Sequence, residues 1–385
     1  MPSLAQRSEN EFTVLCLLSR AALTTEQKAR IRRVDFAAID WTEVTRRAEY
    51  HGVLSFVARN LVEYADGLPS EIASTLRSAY KLNLPRSLWF SAELARIVRL
   101  FKDRQIPVLP FKGPSLEQSI YGEPGLRSFS DLDLLTSPAN YHVAERSLAE
   151  LGYKPSVEFK PSVERFWLRN GYEQLFDSAS GNNLVELQWA LSPRFYSLNL
   201  RIEDLMARAQ KIVVGGCEMR CLSPEDSVLA LSVHAAKHLW SRLIWLVDIA
   251  ESLKTQNIDH GVVCARAKAL GVARMVAVTY WLVKNLLEVK LPEFAERMIA
   301  GDAHVEALGK RFAERLAREA TYDFASTEYF RLILKLRERR SDRYRFLWRL
   351  VSTPGQSDLD TLDLPEAFFP LYRIIRIGRL FRRRK

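Results

Sequence analysis

The sequence is poor in cysteine. Its 385 residues include four, Cys16, Cys217, Cys221 and Cys264, which are scattered along the chain. No second pair of Cys or His stands at zinc-site spacing from Cys217 and Cys221. The cysteines are therefore expected to be free thiols in a reducing compartment, which excludes a disulfide framework and a zinc finger.

Long apolar runs are also missing. The first ten residues lack the apolar core of a signal peptide, and no uncharged apolar stretch approaches the roughly 18 residues of a membrane span. These absences predict a cytoplasmic protein. The hydrophobic content of 48% and charged content of 26% are those of a globular protein, and the length allows two or three domains.

Outside the C-terminal part of the chain the sequence has almost no excess of positive over negative charge. The net charge is +10, and residues 331–385 hold 15 Lys and Arg against 6 Asp and Glu, so the first 330 residues are nearly neutral. A general polyanion-binding protein would instead spread its charge over the working domain. The basic excess therefore belongs to the tail.

The tail over 371–385 allows three interpretations. Arg373, Arg376, Arg379 and Arg383 recur at near-helical spacing, with apolar residues such as Ile374 between them. The segment packs on the protein as a terminal helix with solvated arginines, lies as a helix on an anionic membrane surface, or contacts the phosphates of a nucleic acid. No aromatic stacking platform or RNA-binding motif accompanies it, which favours the membrane over nucleic acid.

Apolar periodicity divides the chain into four parts. Residues 1–104 are predicted to be helical, with a kink or break at Pro85. Residues 105–222 alternate short strands and helices and include two hairpins, at 172–191 and 211–222. Residues 223–353 are predicted to be helical again, with one long final helix over 324–350. Residues 354–385 are predicted to form a loop and the basic tail.

The α/β part carries two acids on one apolar strand. Asp131 and Asp133 alternate with leucines in the predicted strand 130–136, so both carboxylates lie on one face of the sheet. A third acid, Glu186, lies on the predicted strand 183–191. Carboxylates of this kind bind Mg²⁺, which takes its remaining ligands from water and phosphate. The pattern indicates phosphoryl or nucleotidyl transfer.

The motifs around these acids resemble a known family. The run Phe111-Lys112-Gly113, then Tyr121, Arg127 and Asp131-Leu132-Asp133-Leu134-Leu135 is similar to the uncharacterised nucleotidyltransferase family of bacterial proteins, within the polymerase-β-like superfamily. The helices that contain His234, His238 and Asp248 resemble its C-terminal half. The resemblance implies an α+β fold. A small mixed β-sheet nucleotidyltransferase core would be flanked by an N-terminal helical segment and a C-terminal helical domain.

This resemblance gives the acids and the neighbouring residues expected roles. Asp131, Asp133 and Glu186 would hold Mg²⁺ or Mn²⁺ ions. The NTP would contact a second set of residues, Lys112, Gly113, Ser115, Arg127 and Ser130. The implied reaction moves a nucleoside monophosphate to an acceptor hydroxyl on a protein, a small molecule or an RNA end, with release of pyrophosphate.

Three alternatives remain open from the residues alone. Arg127 pairs structurally with Asp131 or Asp133 instead of contacting phosphate. His234 and His238 pack or form a hydrogen bond between helices, or His238, Lys237 or Arg242 contacts the nucleotide or the acceptor. The third alternative concerns the Lys112 turn, where Pro114 donates no amide and the hydroxyl of Ser115 lies one residue later than in classical members. This departure favours a non-catalytic nucleotide-binding regulatory or antitoxin-like protein.

Overall fold

The computed structural model describes residues 4–64, 68–179, 183–198, 200–321, 323, 326–359 and 364–382. Within these residues, five helices precede the sheet: α1 (Leu4–Leu18), α2 (Thr25–Arg32), α3 (Trp41–Tyr50), α4 (Leu54–Tyr64) and α5 (Ser70–Asp103). Ten helices follow it: α10 (Pro224–Lys237), α11 (Leu243–Thr255), α12 (His260–Leu270), α13 (Ala273–Leu287), α14 (Glu293–Ala300), α15 (Val305–Ala317), α16 (Thr327–Lys335), α17 (Arg340–Ser352), α18 (Gln356–Leu359) and α19 (Tyr372–Arg382).

The middle of the chain alternates strands and helices. Its elements are β1 (Leu109–Pro110), α6 (Gly113–Ile120), β2 (Leu132–Leu135), α7 (Tyr141–Glu150), β3 (Lys154–Pro155), α8 (Pro161–Asn170), β4 (Glu173–Asp177), β5 (Asn183–Gln188), α9 (Ile202–Arg208), β6 (Gln210–Val214) and β7 (Cys217–Cys221). Five strands form one sheet in the order β1-β2-β5-β4-β3. Strands β2 and β5 are parallel and the other pairs antiparallel, so the sheet is mixed and the predicted α+β class is confirmed.

The buried apolar residues form two cores. One lies under the sheet and includes Phe101 of α5 and Leu134 of β2. The other joins the first four helices to those after the sheet, so that Phe56 of α4 and Val276 of α13 belong to the same cluster. The helices before and after the sheet are therefore packed together. The predicted domain boundaries stay a prediction.

Several predicted elements differ from the observed ones. Pro85 lies inside α5 and does not end it, since Ser70–Asp103 is one helix. The predicted long helix over 324–350 is two helices, because the chain between α16 and α17 places Arg337 in the core, where its guanidinium donates to the carbonyl of Gly271. Part of the predicted 354–363 loop is the short helix α18, and α8, α9 and α14 were not predicted.

Other expectations are confirmed or lie outside the described residues. All four cysteines are free and buried, as expected. The strands of both predicted hairpins pair. Residues 180–182 in the turn of the first hairpin, and Arg383 in the tail, lie outside the described residues. Among the helices that the structure describes, none combines the length and the apolar character needed to cross a membrane.

His51 makes the stability of the fold depend on pH. Its ring is fully buried and its Nδ1 accepts a hydrogen bond from the backbone N–H of Leu243. Burial, and then the charges of Arg242 and Arg47, lower the pKa of His51 to about 3. The unfolded chain takes up this proton near pH 6.5, whereas the folded chain does not. Stability is therefore lost as the pH falls below 6.5, by up to about 1.4 kcal/mol per pH unit down to pH 3.

Urea unfolding between pH 7.5 and 5 measures this contribution. We expect His51→Gln to flatten the decline relative to the wild type, because glutamine does not titrate. His142→Gln serves as the control, since His142 is exposed on α7. Parallel declines in the wild type and His51→Gln would contradict the assignment.

Candidate active site

The sheet brings two of the three predicted acids side by side. Strands β2 and β5 are parallel with Asp133 aligned to Glu186. The side-chain amide of Gln188 donates to Asp133 Oδ1 at 3.0 Å and to Glu186 Oε2 at 2.8 Å. Asp131 directly precedes β2. Leu132 and Leu134 are buried in the core under the sheet. Because successive side chains of a strand point to opposite faces, Asp133 lies on the other face of β2.

Lys112 is the cation next to these carboxylates. It follows β1, which runs antiparallel beside β2, and its Nζ lies 2.9 Å from Asp133 Oδ1. Burial works to lower the pKa of Lys112, but the contact with Asp133 outweighs it and leaves the pKa above its ordinary value. Lys112 is therefore an ammonium ion at neutral pH.

One lysine does not neutralise the whole group of carboxylates. Burial, and then the charge of Asp133, raises the pKa of Asp131. The same two causes, with Glu173 of β4, raise the pKa of Glu186 to about 8. Glu173 itself has a pKa raised by burial. The face of the sheet thus holds more carboxylate than its neighbours balance, an arrangement that favours uptake of a proton or a metal cation.

A pocket of about 470 Å³ opens over this face. Lys112, Arg127, Ser130, Asp131, Asp133 and Glu186 line it among the predicted site residues. Gly113 and Ser115 do not. The Ser115 hydroxyl is buried and donates to the carbonyl of Lys112 at 2.9 Å, so it holds the turn together.

The opposite wall of the pocket comes from α10, α11 and the turn between them. The ring centroids of His234 and His238 are 4.8 Å apart. Both rings pack against Trp245, whose ring centroid is 5.2 Å from that of His234 and 5.1 Å from that of His238. Burial lowers the pKa of both histidines, that of His238 to about 3, so both rings are neutral. Both rings therefore pack against α11 and both also face the pocket, so a contact with the nucleotide stays a prediction.

Lys237 lies on the same wall of the pocket as the two histidines. Its Nζ lies 5.4 Å from the centre of the Tyr172 ring. Burial lowers the pKa of Lys237, while Glu173 counteracts the shift. Sequence reasoning did not include Tyr172 and Glu173, although the antiparallel pairing of Glu173 with Gln188 follows from the predicted hairpin and places it near Glu186.

Arg127 has a partner that the sequence did not indicate. Its Nε donates to both carboxylate oxygens of Asp248 at 3.1 Å, and the Tyr121 hydroxyl donates to Asp248 Oδ1 at 2.8 Å. The predicted alternative, a pair with Asp131 or Asp133, is therefore not the one formed. The Arg127–Asp248 pair is almost fully buried and connects the loop before β2 to α11.

Gly113 allows the turn to pass close to the acidic strand. Its φ is +58°, and a Cβ at this position would lie 3.1 Å from the carbonyl oxygen of Asp131. We expect Gly113→Ala to lose about 1–2 kcal/mol of stability from the left-handed backbone, and more from this contact. Gly122→Ala is the matched control, with φ +65° and nothing within 4 Å of its Cβ. Equal losses in urea unfolding would show that the contact with Asp131 has no effect.

The donor set suits a hard divalent cation. Asp131, Asp133 and Glu186 offer only carboxylate oxygens, which Mg²⁺ and Mn²⁺ prefer. Their oxygens do not all lie within 4.8 Å of one another; in the described part of the chain only His142, Glu145 and Glu164 form such a group, between α7 and α8. Asp133 and Glu186 nevertheless lie in register, and the raised pKa values of Asp131 and Glu186 indicate carboxylate charge that a bound cation would neutralise.

Comparison with known proteins gives one finding. A family model described as uncharacterised nucleotidyltransferase matches residues 37–288, which is more than half of the chain and includes every site residue above. No curated protein and no solved structure matches the chain.

Proposed function

The chain belongs to the uncharacterised nucleotidyltransferase family, and we propose from this that it moves a nucleoside monophosphate from an NTP to an acceptor hydroxyl. The observation that carries the proposal is the parallel register of β2 and β5, which sets Asp133 beside Glu186 at the floor of a pocket. The acceptor is a protein, a small molecule or an RNA end.

Asp131, Asp133 and Glu186 would hold Mg²⁺ or Mn²⁺. The metal supplies Lewis-acid stabilisation of charge on the attacking and leaving oxygens when bound. In the reaction the acceptor oxygen forms a bond to the α-phosphorus while the bond from that phosphorus to the β-phosphate oxygen breaks. The acceptor proton leaves to water or to a nearby carboxylate, and pyrophosphate departs.

Two lysines on opposite walls would bind the phosphates. Lys112 contacts Asp133 on the sheet side of the pocket, and Lys237 lines the pocket from the end of α10. Ammonium groups bind phosphate as point charges, and in a buried site their attraction is weakly screened. Ser130 lies at the exposed rim of the same pocket, where its hydroxyl can donate to a phosphate oxygen.

Arg127 would contribute to the site by positioning the loop that precedes β2. Both of its contacts to Asp248 use Nε, and the pair is buried below the loop that carries Ser128 to Ser130. The pair therefore holds this loop, one rim of the pocket, against α11. Arg127 also lines the pocket, and the direct phosphate contact expected from the sequence stays a prediction.

The test is transfer of label from each α-³²P-labelled NTP, with Mg²⁺ or Mn²⁺ and cell lysate as the acceptor source. We expect label on an acceptor, or on the protein itself, with wild type and with Asp204→Asn, and none with Asp131→Asn/Asp133→Asn. Asp204 is an exposed acid on α9, outside the pocket. Transfer that persists in the double variant would refute the proposed site.

A second candidate function is a nucleotide-binding regulatory or antitoxin-like protein without turnover. Two observations favour it: Ser115 points into the turn, and Lys112 binds Asp133 directly. Equilibrium binding of the NTP distinguishes the two functions. Metal-dependent binding with no label transfer from any of the four nucleotides would favour this second function.

A further inference from the structure

Helix α17 exposes an apolar stripe on its outer face. Tyr344, Leu347, Trp348 and Val351 follow one another at the spacing i, i+3, i+4, i+7, which places them on one side of the helix. Tyr344 is 73% exposed and Trp348 is 72% exposed. The opposite side of α17 already packs inward through Phe346 and Leu350. The exposed stripe is therefore additional to the one that the fold uses.

Helix α19 lies next to α17 and also exposes apolar side chains. Arg376 fixes it there, because its Nε donates to the carbonyl of Leu350 at 2.6 Å and its Nη1 lies 3.0 Å from Asp358. Ile374 is left 63% exposed, and Leu371, just before α19, is 40% exposed. Two neighbouring elements thus present apolar side chains to solvent.

Both helices are rich in arginine and poor in acid. Helix α17 contains four arginines and one acid, Asp342, which is buried and paired with Arg345. Helix α19 contains four arginines and no acid. Arg340 and Arg373 are exposed. The apolar stripe is therefore bordered by positive charge that no acid of the two helices balances at the surface.

We propose that α17 and α19 together form a docking surface for an anionic lipid bilayer. Tyrosine and tryptophan favour the boundary between headgroups and acyl chains, and an apolar helix face with a basic border lies in the plane of that boundary. A second copy docked through the same face would set arginine against arginine. The surface extends beyond the tail 371–385 that the sequence indicated, because its most exposed aromatic residues lie in α17.

The test is flotation of the full chain with vesicles of phosphatidylcholine alone or with 30% phosphatidylglycerol, at low and high salt. We expect salt-sensitive binding to the anionic vesicles. Tyr344→Ser/Trp348→Ser should lower the partition coefficient at least about tenfold, since two interfacial aromatic side chains are lost. Arg340→Gln/Arg373→Gln should lower it by roughly fivefold per arginine.

The matched control is Leu82→Ser/Trp89→Ser, which removes two exposed apolar side chains from α5. It should bind as the wild type does. No binding to anionic vesicles, or equal loss in the control and in Tyr344→Ser/Trp348→Ser, would overturn the proposal. If the protein is a dimer that Tyr344→Ser/Trp348→Ser dissociates, the face binds a second copy of the chain. If the protein binds polyglutamate but not vesicles, the face binds an acidic polypeptide. Either result would also overturn the membrane proposal.

Discussion

Replacing Asp133 with Asn is expected to lower the rate of nucleotidyl transfer about 10³-fold or more. Asp133 is 2% exposed, accepts hydrogen bonds from Lys112 and Gln188, and lies beside Glu186 in the parallel register of β2 and β5. Asparagine keeps the shape but loses the charge that would hold the metal. Metal catalysis of this kind supplies several kcal/mol, which corresponds to a rate factor near 10³.

Glu186→Gln tests the same site independently. Its amide retains the shape of the carboxylate, and we expect a comparable loss of transfer. A metal chelator should abolish transfer by the wild type, and added Mn²⁺ should restore it. Asp204→Asn controls for loss of a surface acid, and circular dichroism checks the fold of each variant. Rates within about tenfold of the wild type in both site variants would contradict the assignment of these carboxylates.

Breaking the Arg127–Asp248 pair is expected to lower the free energy of unfolding by about 3–5 kcal/mol, which is comparable to the whole stability of a marginally stable domain. Both side chains are almost completely excluded from solvent. Removing either one leaves the other as an unpaired buried charge. Urea unfolding of Arg127→Met and of Asp248→Leu measures the two losses.

A double-mutant cycle separates the pair from its surroundings. Arg127→Met/Asp248→Leu should lose less stability than the sum of the two single changes, because neither charge remains. Arg59→Gln is the matched control. Its ion pair with Glu123 is 2.9 Å long but its side chain is 35% exposed, and such a pair contributes at most about 1 kcal/mol. Single losses below that value at Arg127 and Asp248 would show that the pair is not structural.

The sequence indicated the elements of the site that depend on local pattern. Leucines on either side of Asp133 give the strand, and the turn at Lys112 and Gly113 gives the start of α6. Each of these signals spans fewer than ten residues. The same is true of the stripe of α17, whose spacing is visible in the sequence although its exposure is not.

The parts that were missed depend on residues distant in sequence. The partner of Arg127 lies 121 residues away, and no local pattern selects Asp248 from the other acids. The register that aligns Asp133 of β2 with Glu186 of β5 is likewise set by tertiary packing. Pro85 shows the opposite case: a strong local signal for a break is overridden, since α5 packs on both sides of it through Leu76 and Phe90.

The core shared by α1–α4 and the helices after the sheet has a consequence during synthesis. These first helices leave the ribosome long before their partners in α13 and α15 exist. At typical elongation rates the delay is roughly 10–50 s. Throughout that interval the apolar surface of these helices that packs against the later helices lacks its native partner. We therefore expect chaperones that bind apolar segments to bind the nascent chain of this protein. For the same reason, its N-terminal helices are not expected to fold when they are expressed alone.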